Sequence, residues 1–456
     1  MPDLDVDIEE LSIGGDGVAH VGGRRIFVPY TLPDERVQVR LRGEARDDAT
    51  AMLLSVLRPS PHRIAPRCRH FGPTAEPGVG PCGGCSWQHI AYPEQLRLKT
   101  QLVARLVRAA IHDAPSPLPM LAATAVGDPW GFRQKLHFVF GAAEGNSRTP
   151  VLAMGHYVRG SNRVVPVQEC PVHDPRGNAL AFAVRDRYLR NRVTAADGRG
   201  PRVLSGVAIR AACHTRELMA TIIVSDGSDR RLRTATREVM AAEPDVSFHL
   251  NLHPERDALV FGRQTRKLRG TDRMREQVAG ASFLISPTAF FQTNVAAAEL
   301  LVGLVLAAVP AKSRVLDLYA GAGLFALPLA RAGHTVVAVE ESRAATDDGE
   351  ASARLNRVSP SQCRFITRRV ETAMTALPAA DVVVLDPPRE GCTPEVIAGV
   401  FGRLRPAVGI YVSCNPDTLA ADLRAIAGHG YAVRSIQPVD MFPHTPHIEA
   451  VAVVTR

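Results

Sequence analysis

Lysine is nearly missing from this chain of 456 residues: Lys99, Lys135, Lys267 and Lys312 are the few ammonium groups among 54 basic side chains, and arginine supplies the rest. The net charge is +8. Arginine forks suit phosphates and base edges, and a positive balance invites nucleic acid; a genome-wide composition bias accounts for the same excess. The amino terminus, MPDLDVDIEE, is acidic and lacks an apolar h-region, so no signal peptide is expected. The longest apolar run, Leu300 to Pro310, falls well short of the roughly 20 residues a membrane helix needs. Internal repeats and low-complexity tracts are lacking too. A cytoplasmic protein with no membrane partner is expected. In that reducing compartment the eight cysteines are expected as metal ligands, nucleophiles or small core residues, not as disulfides.

What is there falls into three stretches. Residues 1–60 carry short strand-like runs (Val6 to Leu11, Val18 to His20, Arg25 to Pro29, Arg36 to Leu41, Ala51 to Leu57) punctuated by Gly14-Gly15-Asp16-Gly17 and Gly22-Gly23. That spacing predicts a small β-barrel of the oligonucleotide-binding kind. Residues 61–275 begin with a Pro-rich linker and a Cys/Gly-rich segment. A helix follows over Gln95 to Ile111, then mixed α+β with strands at Phe132 to Phe140, Val203 to Ile209, Leu218 to Val224 and Phe248 to Leu252. Residues 276–456 alternate strands with helices, which predicts an α/β domain with a parallel sheet covered on both faces.

In the last stretch an apolar strand ends in Asp317-Leu318-Tyr319 and runs into Ala320-Gly321-Ala322-Gly323 at a helix start. Such glycines let backbone amides approach a ligand. Glu340 ends the next strand, where a carboxylate can hold ribose hydroxyls. The loop also fits the nicotinamide-dinucleotide fingerprint. Asp386-Pro387-Pro388-Arg389 then places an acid at a strand end beside a stiffened loop, which a dehydrogenase does not need. In Tyr411-Val412-Ser413-Cys414-Asn415-Pro416 a cysteine sits at a strand-to-helix junction, near amides that favour thiolate, and Pro416 suits the helix's first turn. Glu449 opens the final apolar strand. Cys68, Cys82 and Cys85 form C-x13-C-x2-C, with Cys170 further on; four thiolates suit either a 4Fe–4S cluster or structural zinc. Cys213, Cys363 and Cys392 read as packing residues.

Taken in order, DLYAGAGLF, VLDPPREG, YVSCNP and DMFPHTPHIEAV closely resemble the RNA (uracil-5-)-methyltransferase family. IGGDGVAHVGGRRIFVPYTLPDERVQVRL resembles its TRAM domain, and SPHRIAPRC, CGGCSWQHI and YPEQLRLK also match. The middle, 180–270, matches poorly. The resemblance implies a class I, Rossmann-like S-adenosylmethionine (SAM) methyltransferase domain behind a TRAM module. Its target would be a uridine in RNA, 23S ribosomal RNA before transfer RNA, and the protein would act as a monomer. It further implies that Cys414 is the nucleophile and Glu449 the base, on a last strand running antiparallel. Gln292, Tyr319, Gly321, Gly323, Glu340 and Asp386 would hold SAM, and Cys68, Cys82, Cys85 and Cys170 a 4Fe–4S cluster, with zinc as the alternative. Phe132, Arg133 and Lys135 would contact RNA near the target. Two departures stand out: Leu324 and Arg369 replace asparagines of some ribosomal RNA members, and TAEPGVGP lengthens the loop before Cys82.

The thiolate has a chemical reason. Carbon 5 of uracil is too weak a nucleophile to take a methyl group unaided, whereas thiolate addition at carbon 6 turns it into an enolate carbon. Rival readings are a cytosine-5 methyltransferase, which the DPPR and Glu449 context disfavours, an RNA-binding protein without catalysis, and a nicotinamide oxidoreductase.

Overall fold

A computed structural model describes residues 3–42, 48–73, 81–111, 119–143, 151–194, 203–254 and 260–456. Most of the TAEPGVGP insertion lies outside them. The amino-terminal sheet has six strands in the spatial order Asp3–Asp7, Arg36–Arg42, Asp48–Arg58, Arg24–Val28, Gly17–Val21, Glu10–Leu11. Its two edge strands are consecutive in the chain, so the sheet curls back on itself around Val6, Ile26, Val28, Val37 and Val39. Where the sequence suggested one strand over Val6 to Leu11, the chain turns. The Ile8 N–H donates to the Glu35 carbonyl and the Glu9 N–H to the Val18 carbonyl, which satisfies the backbone across the break.

The middle of the chain builds a seven-stranded sheet from Lys135–Ala143 through Gln264–Arg269. Helices Pro175–Arg190 and Arg230–Ala242 pack on it and close a core of Leu136, Phe138, Leu180, Val184, Leu232 and Val239. Both helices have an aspartate cap, Asp174 and Asp229, whose carboxylates accept from first-turn amides.

The carboxy-terminal sheet carries the site. Its strands are β1 (Arg314–Leu318), β2 (Thr335–Glu340), β3 (Cys363–Thr367), β4 (Val382–Leu385), β5 (Val408–Ser413), β6 (Ala432–Val439) and β7 (Glu449–Thr455). They lie in the order 3-2-1-4-5-7-6, all running the same way except β7, which is antiparallel to both of its neighbours, β5 and β6. Strands β1 and β4 are wholly apolar apart from Arg314 and Asp317, as strands covered on both faces must be. The apolar run at 300–310 lies mostly in helix Val295–Ala308, and among the described residues no helix is long and apolar enough to cross a membrane. The expected helix over Pro394 to Leu404 widens into a π turn at Ala398–Leu404, ending on Arg405 in a left-handed conformation (φ 52°).

Two earlier segments complete this core. Hairpin Met274–Val278/Ala281–Ile285 packs on helix Arg343–Leu355. Helix Tyr92–Ala110 packs on helix Pro416–Ala427, burying Val103 and Val107 beside Leu419 and Leu423. It also buries a charge. The Lys99 ammonium donates to Asp440 Oδ1 at 2.6 Å and to the Phe442 carbonyl at 3.1 Å, and both side chains are sealed from solvent. The Tyr92 hydroxyl donates to Asp440 Oδ2 at 2.9 Å, and the His444 N–H donates to Gln95 Oε1 at 2.9 Å. The segment leading to Glu449 is thus held by a helix more than three hundred residues upstream. Lys99→Met leaves the Asp440 carboxylate buried and unpaired. The expected cost is about 3–5 kcal/mol, read as a melting point lowered by roughly 10 °C; an unchanged melting point counts against this role.

Candidate active site

Strand register gathers the expected residues on one edge of the sheet. Leu318 pairs with Val339 and Leu385, Leu385 with Tyr411, and Ser413 with Ala450 on antiparallel β7. The residues next to these pairs are Tyr319, Glu340, Asp386, Cys414 and Glu449. This is the carboxyl edge of the parallel strands, where open α/β sheets bind ligands.

The glycine loop opens with Tyr319 at φ 64°, a conformation that costs a non-glycine residue on the order of 1–2 kcal/mol. Gly323 follows at φ 84°, and a Cβ there would come within 2.8 Å of the Phe365 ring. At Gly321 (φ 55°) a Cβ would meet nothing within 4 Å, so the loop is open on that side. The Gly321 N–H donates to Glu340 Oε2 at 2.9 Å and the Ser342 N–H to Oε1 at 2.8 Å. Glu340 is thereby oriented, and each oxygen keeps a lone pair for a hydroxyl. The Tyr319 hydroxyl donates to Glu371 at 3.3 Å.

Acids crowd the crevice. Asp317 is fully buried, and burial with Asp386 nearby holds its carboxyl well above the usual range, against the pull of the Ala326 amide. Burial and Glu340 push Asp386 up to about 7. Burial and Asp386 likewise raise Glu449, against the pull of Arg389. Clustered carboxyls of this kind favour a ligand that brings positive charge. SAM, with its ammonium and sulfonium, fits that donor set, and Glu340 fits a ribose.

Cys414 lies half-buried between β5 and helix Pro416–Ala427. Asn415 caps that helix by accepting from the Asp417 N–H at 3.1 Å, and Pro416 takes the first turn as expected. The Asn415 amide and the Thr418 hydroxyl both donate to the Arg389 carbonyl, at 3.0 and 3.2 Å, tying the cysteine turn to the DPPR loop. The expectation of a favoured thiolate is corrected here. Burial, Glu449 and Asp386 push the Cys414 thiol up to about 11, outweighing Arg389 and the local amide.

Gln292 lines a small pocket with Gln134, Lys135, Arg210, Glu276 and Phe291. Phe290, unread in the sequence, is the exposed neighbour: it keeps 73% of its surface free. Its only sequence signal was a doubled aromatic, Phe290-Phe291, ahead of Gln292. Leu324 is buried in the core, and Arg369 pairs with Glu341 and Glu371.

Cys68, Cys82, Cys85 and Cys170 line one cavity of about 530 Å³. Burial pushes Cys82 up to about 11, Cys85 up to about 12 and Cys170 well above the usual thiol range, each made worse by the other sulfurs. Converging half-buried thiols that ionise so reluctantly fit a metal group, whose charge makes them thiolates. Arg133 lines the same cavity, and Phe132 is 9% exposed. Lys135 is enclosed as well, its ammonium over the Phe261 ring and held at about 7 by burial and Arg210. Of the segment expected to contact RNA, Phe132 is buried while Arg133 and Lys135 are half-buried; Lys135 starts a strand and Arg133 lines the cysteine cavity. Cys363 and Cys392 are buried as expected, whereas Cys213 is exposed, its N–H donating to Glu276.

The strand order 3-2-1-4-5-7-6, with a glycine loop after the central strand, defines a class I methyltransferase domain, here behind a small barrel. The sequence profile described as tRNA (uracil-5-)-methyltransferase matches residues 265–456. The profile described as tRNA (uracil(54)-C(5))-methyltransferase, TRAM domain, matches residues 4–62. An uncharacterized RNA methyltransferase of Gloeobacter violaceus is 37% identical, over 99% of this chain and 96% of its own, and another of Geobacter sulfurreducens is 31% identical, over 99% and 90%. The fold is similar to that of Pyrococcus abyssi tRNA (uracil-54, C5)-methyltransferase in complex with S-adenosyl-L-homocysteine, at TM-score 0.78, 24% identity and 99% coverage of both chains. The chain belongs to the RNA (uracil-5-)-methyltransferase family and is a SAM-dependent RNA methyltransferase.

Proposed function

We propose that the protein methylates carbon 5 of a uridine in RNA, 23S ribosomal RNA before transfer RNA, through a covalent bond between Cys414 and carbon 6. The observation that carries this reading is the pairing of Ser413 with Ala450, which sets a thiol and a carboxyl on neighbouring strands beside one acid-lined crevice. SAM supplies the methyl group when bound. Gly321, Gly323, Glu340 and Asp386 hold it, with Tyr319 and Gln292 closing the sides. The Cys414 thiolate adds to carbon 6, the enolate carbon 5 takes the methyl group as the donor's sulfur–methyl bond breaks and S-adenosylhomocysteine leaves, and Glu449 removes the carbon 5 proton so that the bond from Cys414 to carbon 6 breaks and the thiolate returns. Phe290 offers a ring on which a base turned out of its stack can lie. Residues 1–60 form the RNA-binding TRAM module, residues 61–275 bear the four cysteines, and residues 276–456 carry the chemistry. Cys68, Cys82, Cys85 and Cys170 hold a 4Fe–4S cluster, with zinc as the alternative; its part is structural, since methyl transfer moves no electron. A transfer RNA substrate is the second reading, favoured by the family's description and by the Pyrococcus abyssi relative.

Methyl-labelled SAM with 23S ribosomal RNA fragments or transfer RNA transcripts tests the proposal. Label at uridine carbon 5 is expected, and label on another atom, or on none, overturns it. Asp386 gives a pH signature. Its carboxyl titrates near 7 instead of near 4, so below 7 it is neutral and above 7 it meets the cation. SAM affinity should rise as pH passes through 7, and Asp386→Asn should flatten that rise. Asp317, Glu340, Cys414 and Glu449 contribute to the same field, which makes the Asn variant the needed control.

A further inference from the structure

The cysteine cavity also contains histidines that the four-cysteine set does not use. His156 is the next-to-last residue of strand Val151–Tyr157, in register with Val165, and His173 precedes helix Pro175–Arg190. Their rings lie 5.3 Å apart at 82°. Phe138 holds both, stacked on His156 at 4.9 Å and edge-on to His173 at 5.0 Å. His156 Nε2 and His173 Nδ1 are buried without a close hydrogen-bond partner among the described residues, Asn178 being the polar side chain that acts on the His173 ring, and His173 keeps 3% of its surface. Two sealed ring nitrogens left unpaired within one cavity call for a partner. Cys170 stands beside them, its carbonyl accepting from the His173 N–H at 3.1 Å and from the Asn178 amide at 2.8 Å, so the turn between Cys170 and His173 is fixed.

We propose that His156, Cys170 and His173 form a second metal site, for a single zinc-class divalent ion, which overlaps the four-cysteine set through the Cys170 sulfur. One donor atom from each residue lies within 4.8 Å of the other two. Zinc takes imidazole nitrogen at about 2.0–2.1 Å and thiolate sulfur at about 2.3 Å in a tetrahedron. Such ligand atoms sit roughly 3–4 Å apart, so small side-chain rotations close the set. Two imidazoles and one thiolate make a zinc donor set with one position left for water or a neighbouring thiol. Cys170 cannot serve both sites, so the ion and a group on all four cysteines exclude each other. The chain then has two metal forms: one sulfur-ligated by Cys68, Cys82, Cys85 and Cys170, and one in which Cys68, Cys82 and Cys85 are free thiols.

The full-length protein, stripped with a chelator under reducing conditions and reloaded with zinc alone, tests this by X-ray absorption at the zinc edge. A first shell of two imidazole nitrogens and one sulfur per ion is expected. An all-sulfur shell, or no bound zinc, overturns the proposal. Cobalt(II) as a spectroscopic substitute gives the second measurement. Cys82→Ser with Cys85→Ser should keep one cobalt per chain with the charge-transfer intensity of a single thiolate. His156→Gln with His173→Gln should weaken binding at least tenfold. Cobalt lost from the serine variant and kept by the glutamine variant also overturns it, and X-ray absorption on the unaltered chain decides the matter if either variant fails to fold.

Discussion

Replacing Cys414 by alanine should lower methyl transfer by more than about 10³-fold and leave SAM and RNA binding within a few-fold of the original. The reason is that nothing else in the crevice replaces a thiolate at that position. Asp386 and Glu449 are oxygen acids held toward their neutral forms, and Arg389 has no electron pair to offer. The substitution removes a half-buried sulfur from a turn whose shape rests on the Asn415 cap and the Arg389 carbonyl, so the fold survives. The high Cys414 pKa sharpens the expectation. At about 11 the thiol is almost fully protonated at neutral pH in the free protein. Two of the groups that raise it, Glu449 and Asp386, are those a cation would screen. The pH profile of the single-turnover rate should therefore show a thiol titrating lower in the complex with SAM than in the free protein. The 5-methyluridine yield of Cys414→Ala reads the first result and a thiol-specific alkylation rate against pH the second; a variant that turns over normally removes the nucleophile from the scheme.

How much of this could be read from the chain depended on how local each signal was. The glycine loop, DPPR and SCNP each sit where an apolar strand stops and a turn or helix begins, so their grammar is complete within a few residues. Helix Tyr92–Ala110 announced itself by periodicity, but its main charge did not. Lys99 looks like any helical lysine until Asp440, far along the chain, comes to meet it. Helices Pro175–Arg190 and Arg230–Ala242 went unread although Asp174-Pro175 and Asp229 are ordinary starts. Their apolar faces are narrow, and arginines fill the intervening positions. The thiolate expectation failed for a similar reason. A helix start is visible in sequence, whereas the carboxyls that oppose it arrive from β4 and β7. Phe132 and Arg133 carried the right chemistry for RNA, and only the fold shows that Phe132 is buried and that Arg133 also lines the cysteine cavity.

Glu449→Gln tests the last step of the reaction separately from the first. Glutamine keeps the shape and the side-chain oxygen but cannot take a proton, so addition of Cys414 to carbon 6 and methylation at carbon 5 should proceed while elimination stalls. A positioned base is worth about 10²–10⁴-fold, and release should slow by that factor. The RNA then stays bonded to protein, visible as a shifted band that survives denaturation. Burial raises the Glu449 carboxyl, which makes it a stronger base toward a carbon acid than a solvated glutamate. The same burial means the variant loses no exposed ion pair, and a neutral amide costs less to enclose than a carboxylate, so the protein should be no less stable. If the variant turns over at the original rate with no adduct, the proton leaves by another route. If neither adduct nor product forms, Glu449 is needed before the carbon–sulfur bond is made. Because Cys414→Ala abolishes the adduct itself, the double variant must show none, which separates a true Cys414 bond from any other cross-link.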